Sequence, residues 1–246
     1  MIFDTLMYCG PCLFGWETTP DSLFAAMDAS EADRAVVVAP KPPGYHLGPA
    51  NDATAELARE HRDRVVGLVR VDPWTGDAVA EAERGLAELG LGGLFLHPWE
   101  EQFRVNMPRV TPLVEVARRH GVPVTIATGF PWVSEALQVG ELASRFPDVP
   151  FVLTTGGQIN ISGLGQTDAE LATERNANVY LQTGGVYRED FLEGIVRSFG
   201  AERLLYASGY PQFEPRLERR RVEWAPAFSD EDKRLIMAAN ATGIWR

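Results

Sequence analysis

One imidazole among four, two closely spaced thiols and a scatter of carboxylates are the side chains in this chain best placed to do chemistry. His97 lies in the run Gly93-Leu94-Phe95-Leu96-His97-Pro98-Trp99. An imidazole at a strand end can exchange a proton near neutral pH, which makes His97 the candidate acid or base; a hydrogen-bonded supporting histidine is the plainer alternative. Glu17, Asp72, Glu100, Glu101 and Arg104 fall near other expected strand ends and could orient or neutralise a substrate. Asp72-Pro73-Trp74 also reads as a turn, and Glu100-Glu101 as a pair facing solvent. His46, on a long Pro-rich loop over 40–52, is a candidate lid residue, whereas His61 and His120 sit near helix ends and read as structural.

Cys9-Gly10-Pro11-Cys12 has the spacing of the thioredoxin redox motif. In that setting the motif opens a helix, whose N-terminus lowers the pKa of the first thiol. Here Phe14-Gly15-Trp16-Glu17 continues as loop to a cap at Thr19, so two reduced, structural cysteines are expected. Tyr8, Trp16, Tyr45, Trp74, Trp99, Phe130, Trp132, Tyr187 and Tyr210 all lie at or just after expected strands. Singly such rings anchor loops; together they favour a concave apolar pocket for a flat or cyclic ligand.

The elements that must position these groups alternate along the chain. Strands are expected near 2–8, 34–39, 64–71, 92–97, 122–127, 150–155, 178–183 and 203–208, with helices between them. Leu113, Val114, Ala117 and Phe191, Leu192, Ile195, Val196, Phe199 carry the spacing of buried helix faces. Thr19-Pro20-Asp21 reads as an N-cap followed by Pro at N1, and Gly90, Gly121 and Gly200 sit where helices should stop. Eight βα units close most simply as a parallel barrel, and 246 residues suits one such domain over 1–246.

A net charge of −11 disfavours nucleic-acid and anionic-membrane partners, which need clustered Lys and Arg. The short Arg216-Leu217-Glu218-Arg219-Arg220-Arg221 run reads as a solvated helix face. No apolar run approaches the roughly 18 residues of a membrane span, and the N-terminus lacks a signal-peptide pattern. A soluble cytoplasmic protein is expected.

Five segments, in order, resemble the amidohydrolase-related (ACMSD-like) metal-dependent hydrolases. Ile2-Phe3-Asp4-Thr5-Leu6-Met7-Tyr8 resembles that family's Asp-x-His-x-His opening, with Leu6 and Tyr8 at the two histidines. Gly93 to Pro98 is similar to its Gly-Leu-Lys-Leu-His-Pro segment, with Phe95 at the lysine. Val122-Pro123-Val124-Thr125-Ile126-Ala127 resembles the next strand, with Ala127 at its terminal histidine. Phe151-Val152-Leu153-Thr154-Thr155-Gly156-Gly157 places Thr155, or Thr154 with a shift of one, at a further histidine. Ala207-Ser208-Gly209-Tyr210-Pro211 resembles the Gly-Ser-Asp-Tyr-Pro signature, with Gly209 at the aspartate.

The resemblance implies a (β/α)8 TIM-like barrel. It also implies that the family's metal-ligand positions are all substituted, so no metal and no other cofactor is expected. Two functions compete. One is a metal-independent acid/base enzyme (lyase, decarboxylase, cyclase, isomerase or hydrolase) on a small cyclic or aromatic, carboxylated intermediate. In it His97 exchanges a proton, Tyr8 hydrogen-bonds a developing oxyanion, and Thr128, Thr155 and Ser208 hold polar substituents. Trp16, Glu17, Tyr45, His46, Asp72, Trp99, Arg104, Trp132, Tyr187 and Tyr210 complete the expected substrate-binding set. The other is a non-catalytic barrel that binds a ligand without turnover or partners a metal-containing amidohydrolase paralogue. An open cavity with polar groups around His97 would favour the first, and a centre packed shut by Leu6, Tyr8 and Phe95 the second. A small-molecule ligand is the expected partner, with homo-oligomerisation a family-level expectation.

Overall fold

Runs of buried aliphatic residues form the strands of a (β/α)8 barrel in the computed structural model, which describes residues 1–44, 46–158 and 164–245. The strands are β1 (Phe3–Tyr8), β2 (Arg34–Val38), β3 (Val65–Gly67 and Val69–Arg70), β4 (Leu94–Leu96), β5 (Val124–Ile126), β6 (Phe151–Leu153), β7 (Val179–Gln182) and β8 (Leu204–Leu205). Each pairs in parallel with its sequence neighbours. Within β3 the chain changes partner at Leu68, whose N–H reaches Val37 O at 2.9 Å, while Val69 N–H donates to Gly93 O at 2.9 Å. The ring closes where Thr5 N–H donates to Tyr206 O and Gly209 N–H to Leu6 O, each at 2.9 Å.

A bulge in β1 decides which side chains face the barrel interior. Its pairing with β2 slips between Asp4 and Met7, and Asp4 Oδ1 accepts the Leu6 N–H at 3.1 Å across the slip. Strict alternation from Phe3 would turn Thr5 and Met7 inward. Instead Phe3, Leu6 and Tyr8 join the inner cluster with Val36, Phe95 and Val152, and Met7 packs outward against Leu23 and Met27.

The helices are α1 (Pro20–Ala29), α2 (Gly48–Glu60), α3 (Ala78–Ala87), α4 (Thr111–His120), α5 (Ala136–Ser144), α6 (Leu164–Arg175), α7 (Glu189–Phe199) and α8 (Pro215–Trp224). Thr19 Oγ1 caps α1 by accepting Ser22 N–H at 3.2 Å, with Pro20 at the first helical position. Gly121 ends α4 at φ +64°, where a Cβ would be strained. A last helical run, Asp230 to Ile244 with a π turn over Leu235–Ala239, closes the N-terminal end of the barrel, and Trp245 packs on Phe3 with ring centroids 6.2 Å apart. Among the described residues no helix is long and apolar enough to cross a membrane.

Two sequence expectations need correction. The sixth strand stops at Leu153 rather than 155, because Thr155, Gly156 and Gly157 all take positive φ and turn the chain. The arginine-rich run on α8 is only half solvated: Arg216 and Arg220 are exposed, but Arg219 pairs with Glu31 and Glu223, and Arg221 with Glu189 and Glu218.

Candidate functional site

The C-terminal ends of the strands surround a cavity of about 350 Å³. Leu6 and Tyr8 of β1, His97 after β4, Ala127 after β5, Thr155 after β6 and Gly209 after β8 all line it. Positions scattered over two hundred residues thus converge on one hollow, the usual place for a barrel's site. The hollow is open, and Phe95 lies beneath it, fully buried and edge-on to Tyr8 at 6.2 Å.

These side chains do not make a metal cage. A divalent ion needs imidazole, thiolate or carboxylate donors at roughly 2.0–2.3 Å. Leu6, Ala127 and Gly209 have no donor atom, Tyr8 and Thr155 offer neutral hydroxyls, and His97 is the one imidazole among the residues lining the cavity. Among the described residues, no three His, Cys, Asp or Glu side chains converge on a common point. Asp72 and Glu17, two further carboxylates near strand ends, lie outside the hollow.

His97 is held in one setting. Its Nδ1 accepts the backbone N–H of Glu100 at 3.2 Å, which leaves the ring proton on Nε2, and the Glu100 carboxylate stands 3.6 Å from that nitrogen. Burial, then the charges of Arg70 and Lys41, push the imidazole well below its ordinary pKa. The resting ring is therefore neutral and donates through Nε2.

Behind it is a buried ion network. Arg70, at the end of β3, is fully buried, ion-pairs with Glu100, and donates to Glu101 Oε1 at 2.7 Å and Ala39 O at 3.2 Å. Lys41 reaches the same Glu101 oxygen at 3.1 Å. Glu101 thus does not face solvent, and burial raises its carboxyl pKa against the pull of both cations. Glu100 carries the edge of this network into the cavity.

The opposite wall is tied together by hydroxyls. Thr128 Oγ1 donates to Thr154 O at 2.6 Å, and Thr128 N–H donates to Thr154 Oγ1 at 3.0 Å. Thr155, at φ +49°, lines the hollow beside them. Ser208 serves the barrel seam instead: its backbone N–H donates to Asp4 Oδ1 at 2.9 Å and its hydroxyl oxygen accepts the Tyr210 N–H at 3.1 Å. Burial raises the Asp4 carboxyl to about 6.

The aromatic prediction divides in two. Trp99 stacks on Phe130 at 5.6 Å with ring planes 10° apart, and with Phe14, Tyr187 and Phe213 they rim the cavity. Trp16 packs edge-on behind Tyr8 at 6.3 Å, Tyr210 joins the cluster beneath α1, and Trp132 and Arg104 are exposed outside the hollow. Glu17 is exposed on a short antiparallel pair, Gly10–Pro11 with Glu17–Thr18. His46 and Asp72 line a different depression beside α2 and α3, and Asp72 Oδ1 accepts the Trp74 N–H in a turn. Tyr45 lies outside the described residues. His61 packs on Phe24 at 4.4 Å, and His120 sits 2.7 Å from a Glu83 oxygen.

Cys9 and Cys12 follow β1 on the strand pair rather than at a helix start, and they are not joined. Burial raises both thiols, Cys9 to about 11, the reverse of an activated redox thiol. Sequence reasoning missed Gln158, Gln182 and Gln212, which also line the cavity. Gln182 had a signal, since it ends the seventh strand; its Nε2 donates to Thr5 O at 2.8 Å.

Comparison with known proteins agrees with this fold. The model of the amidohydrolase family matches residues 18–246. No curated protein matches the chain significantly. Among solved structures, 5-carboxyvanillate decarboxylase LigW from Sphingomonas paucimobilis superposes with a TM-score of 0.78 at 19% identity, over 100% of this chain and 98% of that one. A dihydroxybenzoic acid decarboxylase from Polaromonas sp. JS666, solved with manganese and 2-nitroresorcinol, gives 0.78 at 16%, over 99% and 96%. A putative amidohydrolase from Staphylococcus aureus gives 0.78 at 14%, over 99% of each. At these identities the likeness establishes the fold.

Proposed function

We propose that this chain, which belongs to the amidohydrolase family, is a cytoplasmic acid/base enzyme that works without a bound metal. Its substrate is a small cyclic or aromatic, carboxylated intermediate, and its chemistry is of the lyase or decarboxylase kind. The observation that carries this reading is the open cavity in which His97, Glu100, Tyr8 and Thr155 meet while the matching family positions offer no metal donors. The aromatic-acid decarboxylases that share the fold support the substrate class.

In a decarboxylation the bond to the carboxylate breaks, its electron pair stays on the ring carbon, CO2 departs, and that carbon takes up one proton. That proton is drawn from solvent: Glu100 takes it up at the cavity wall, and as His97 gives its Nε2 proton to the carbon the protonated Glu100, 3.6 Å away, replaces it, so that both residues end as they began. Burial raises the Tyr8 pKa, so its hydroxyl keeps its proton and can donate to an oxygen gaining charge. Thr128 positions Thr154, and Thr155 receives a polar substituent; the aromatic rim excludes water.

The test is CO2 release from a panel of hydroxybenzoates by native protein and by His97→Ala. Turnover in the native protein and a loss of about 10²-fold or more in the variant support the reading; equal rates reject it. The second reading, a non-catalytic barrel that binds a ligand or pairs with a metal-containing paralogue, is favoured by Phe95 and Gly209, which put a buried ring and a bare backbone at two functional positions. Binding without turnover across the panel would select it. Either form would assemble as a homo-oligomer or with the paralogue.

A further inference from the structure

The charge on the cavity wall points to a ligand preference that the family resemblance does not suggest. Among the described residues that line the cavity, none is Lys or Arg, and Glu100 is the only carboxylate. The two nearest cations are withdrawn: Arg70 is buried against Glu100, Glu101 and Ala39 O, and Lys41 is buried against Glu101. His97 is neutral, and the other polar lining groups are hydroxyls and amides. A carboxylate entering here gives up its water without gaining a counter-ion, and it meets another carboxylate on the wall; an uncharged ring loses far less. The parallel Trp99–Phe130 stack at the rim suits a flat ring.

We infer that Glu100 is a specificity-determining residue that makes this cavity hold an uncharged phenolic ring more tightly than the same ring bearing a carboxylate. The inference rests on the cavity being the ligand site of the proposed function. For decarboxylation it means that the ligand sheds its unfavourable charge during turnover, and that the neutral product competes strongly with the substrate.

Calorimetric titration at pH 7 with resorcinol, which is uncharged, and with 2,6-dihydroxybenzoate, which is anionic, tests it. Resorcinol is expected to bind at least about tenfold more tightly. Glu100→Gln should shrink that ratio several-fold by improving benzoate binding, with resorcinol little changed. Gln212→Lys, an exposed change on the lining that leaves the ion network intact, should shrink it too. Equal or tighter binding of the benzoate by the native protein would overturn the inference. So would a ratio unmoved by Glu100→Gln, or no binding of either compound. Binding with the expected ratio but no CO2 release would leave the inference standing and reject the proposed reaction alone.

Discussion

His97 Nδ1 accepts the backbone N–H of Glu100 at 3.2 Å while the carboxylate of the same residue stands 3.6 Å from Nε2. One residue therefore sets the tautomer of the imidazole and also faces its proton. Charging the ring would require Nδ1 to give up an N–H donor in a buried site already flanked by Arg70 and Lys41.

The first prediction follows directly. Nitrogen NMR of the histidine rings should find His97 neutral, with its proton on Nε2, throughout pH 6–8. An imidazolium signal for His97 in that range would contradict the geometry.

A second prediction concerns stability. Asp4 Oδ1 joins the bulge of β1 to the β8 seam, and Oδ2 is buried without a partner. Its pKa is raised from 3.8 to about 6, so the folded protein holds this proton more tightly than the unfolded chain. The corresponding stability is complete below pH 3.8 and is lost as pH rises through 6, a change of about 3 kcal/mol. Neutral His97 acts in the opposite sense as pH falls below its unfolded value, so the informative quantity is the difference between native protein and Asp4→Asn. That difference should shift between pH 4 and 6 in favour of the variant; parallel pH profiles would contradict it.

Much of the barrel was legible because each βα unit repeats a local rule. A short apolar run, a cap such as Thr19 and a stop such as Gly121 all write their positions into neighbouring residues. The convergence of Leu6, Tyr8, Ala127, Thr155 and Gly209 was legible too, since strand order fixes which strand ends share a mouth. What the sequence hid lies in the paths of loops. Glu100-Glu101 looks like a solvated pair until Arg70 and Lys41, from two other strand ends, close over it. His46, Asp72 and Arg104 sit close to strand ends in sequence, yet their loops turn them away from the hollow. Ser208 was expected to meet substrate, but the bulge at Asp4 engages it first.

The ion network should be costly to break from one side. Arg70→Met leaves Glu100 unpaired and Glu101 with Lys41 alone, and should destabilise the protein by about 3–5 kcal/mol in urea unfolding. A loss under about 1 kcal/mol would mean that the carboxylates reach solvent or other partners.

Restoring the family residue at one position should not restore its chemistry. Gly209 has φ +71°, and a Cβ there would lie 3.1 Å from Phe213 Cδ2. Gly209→Asp should cost about 1–2 kcal/mol. It should also leave the metal content of the purified protein unchanged, because a single added carboxylate lacks partner imidazoles. Stoichiometric zinc or manganese in this variant, measured by elemental mass spectrometry, would contradict the reading of the site.

The most direct test of the whole account is turnover of a hydroxybenzoate substrate, followed as CO2 release, before and after exhaustive chelation. An acid/base site built on His97, Glu100 and Tyr8 predicts the same rate in both samples and no stimulation by added manganese or zinc. Activity that disappears with the chelator and returns with the metal would contradict it.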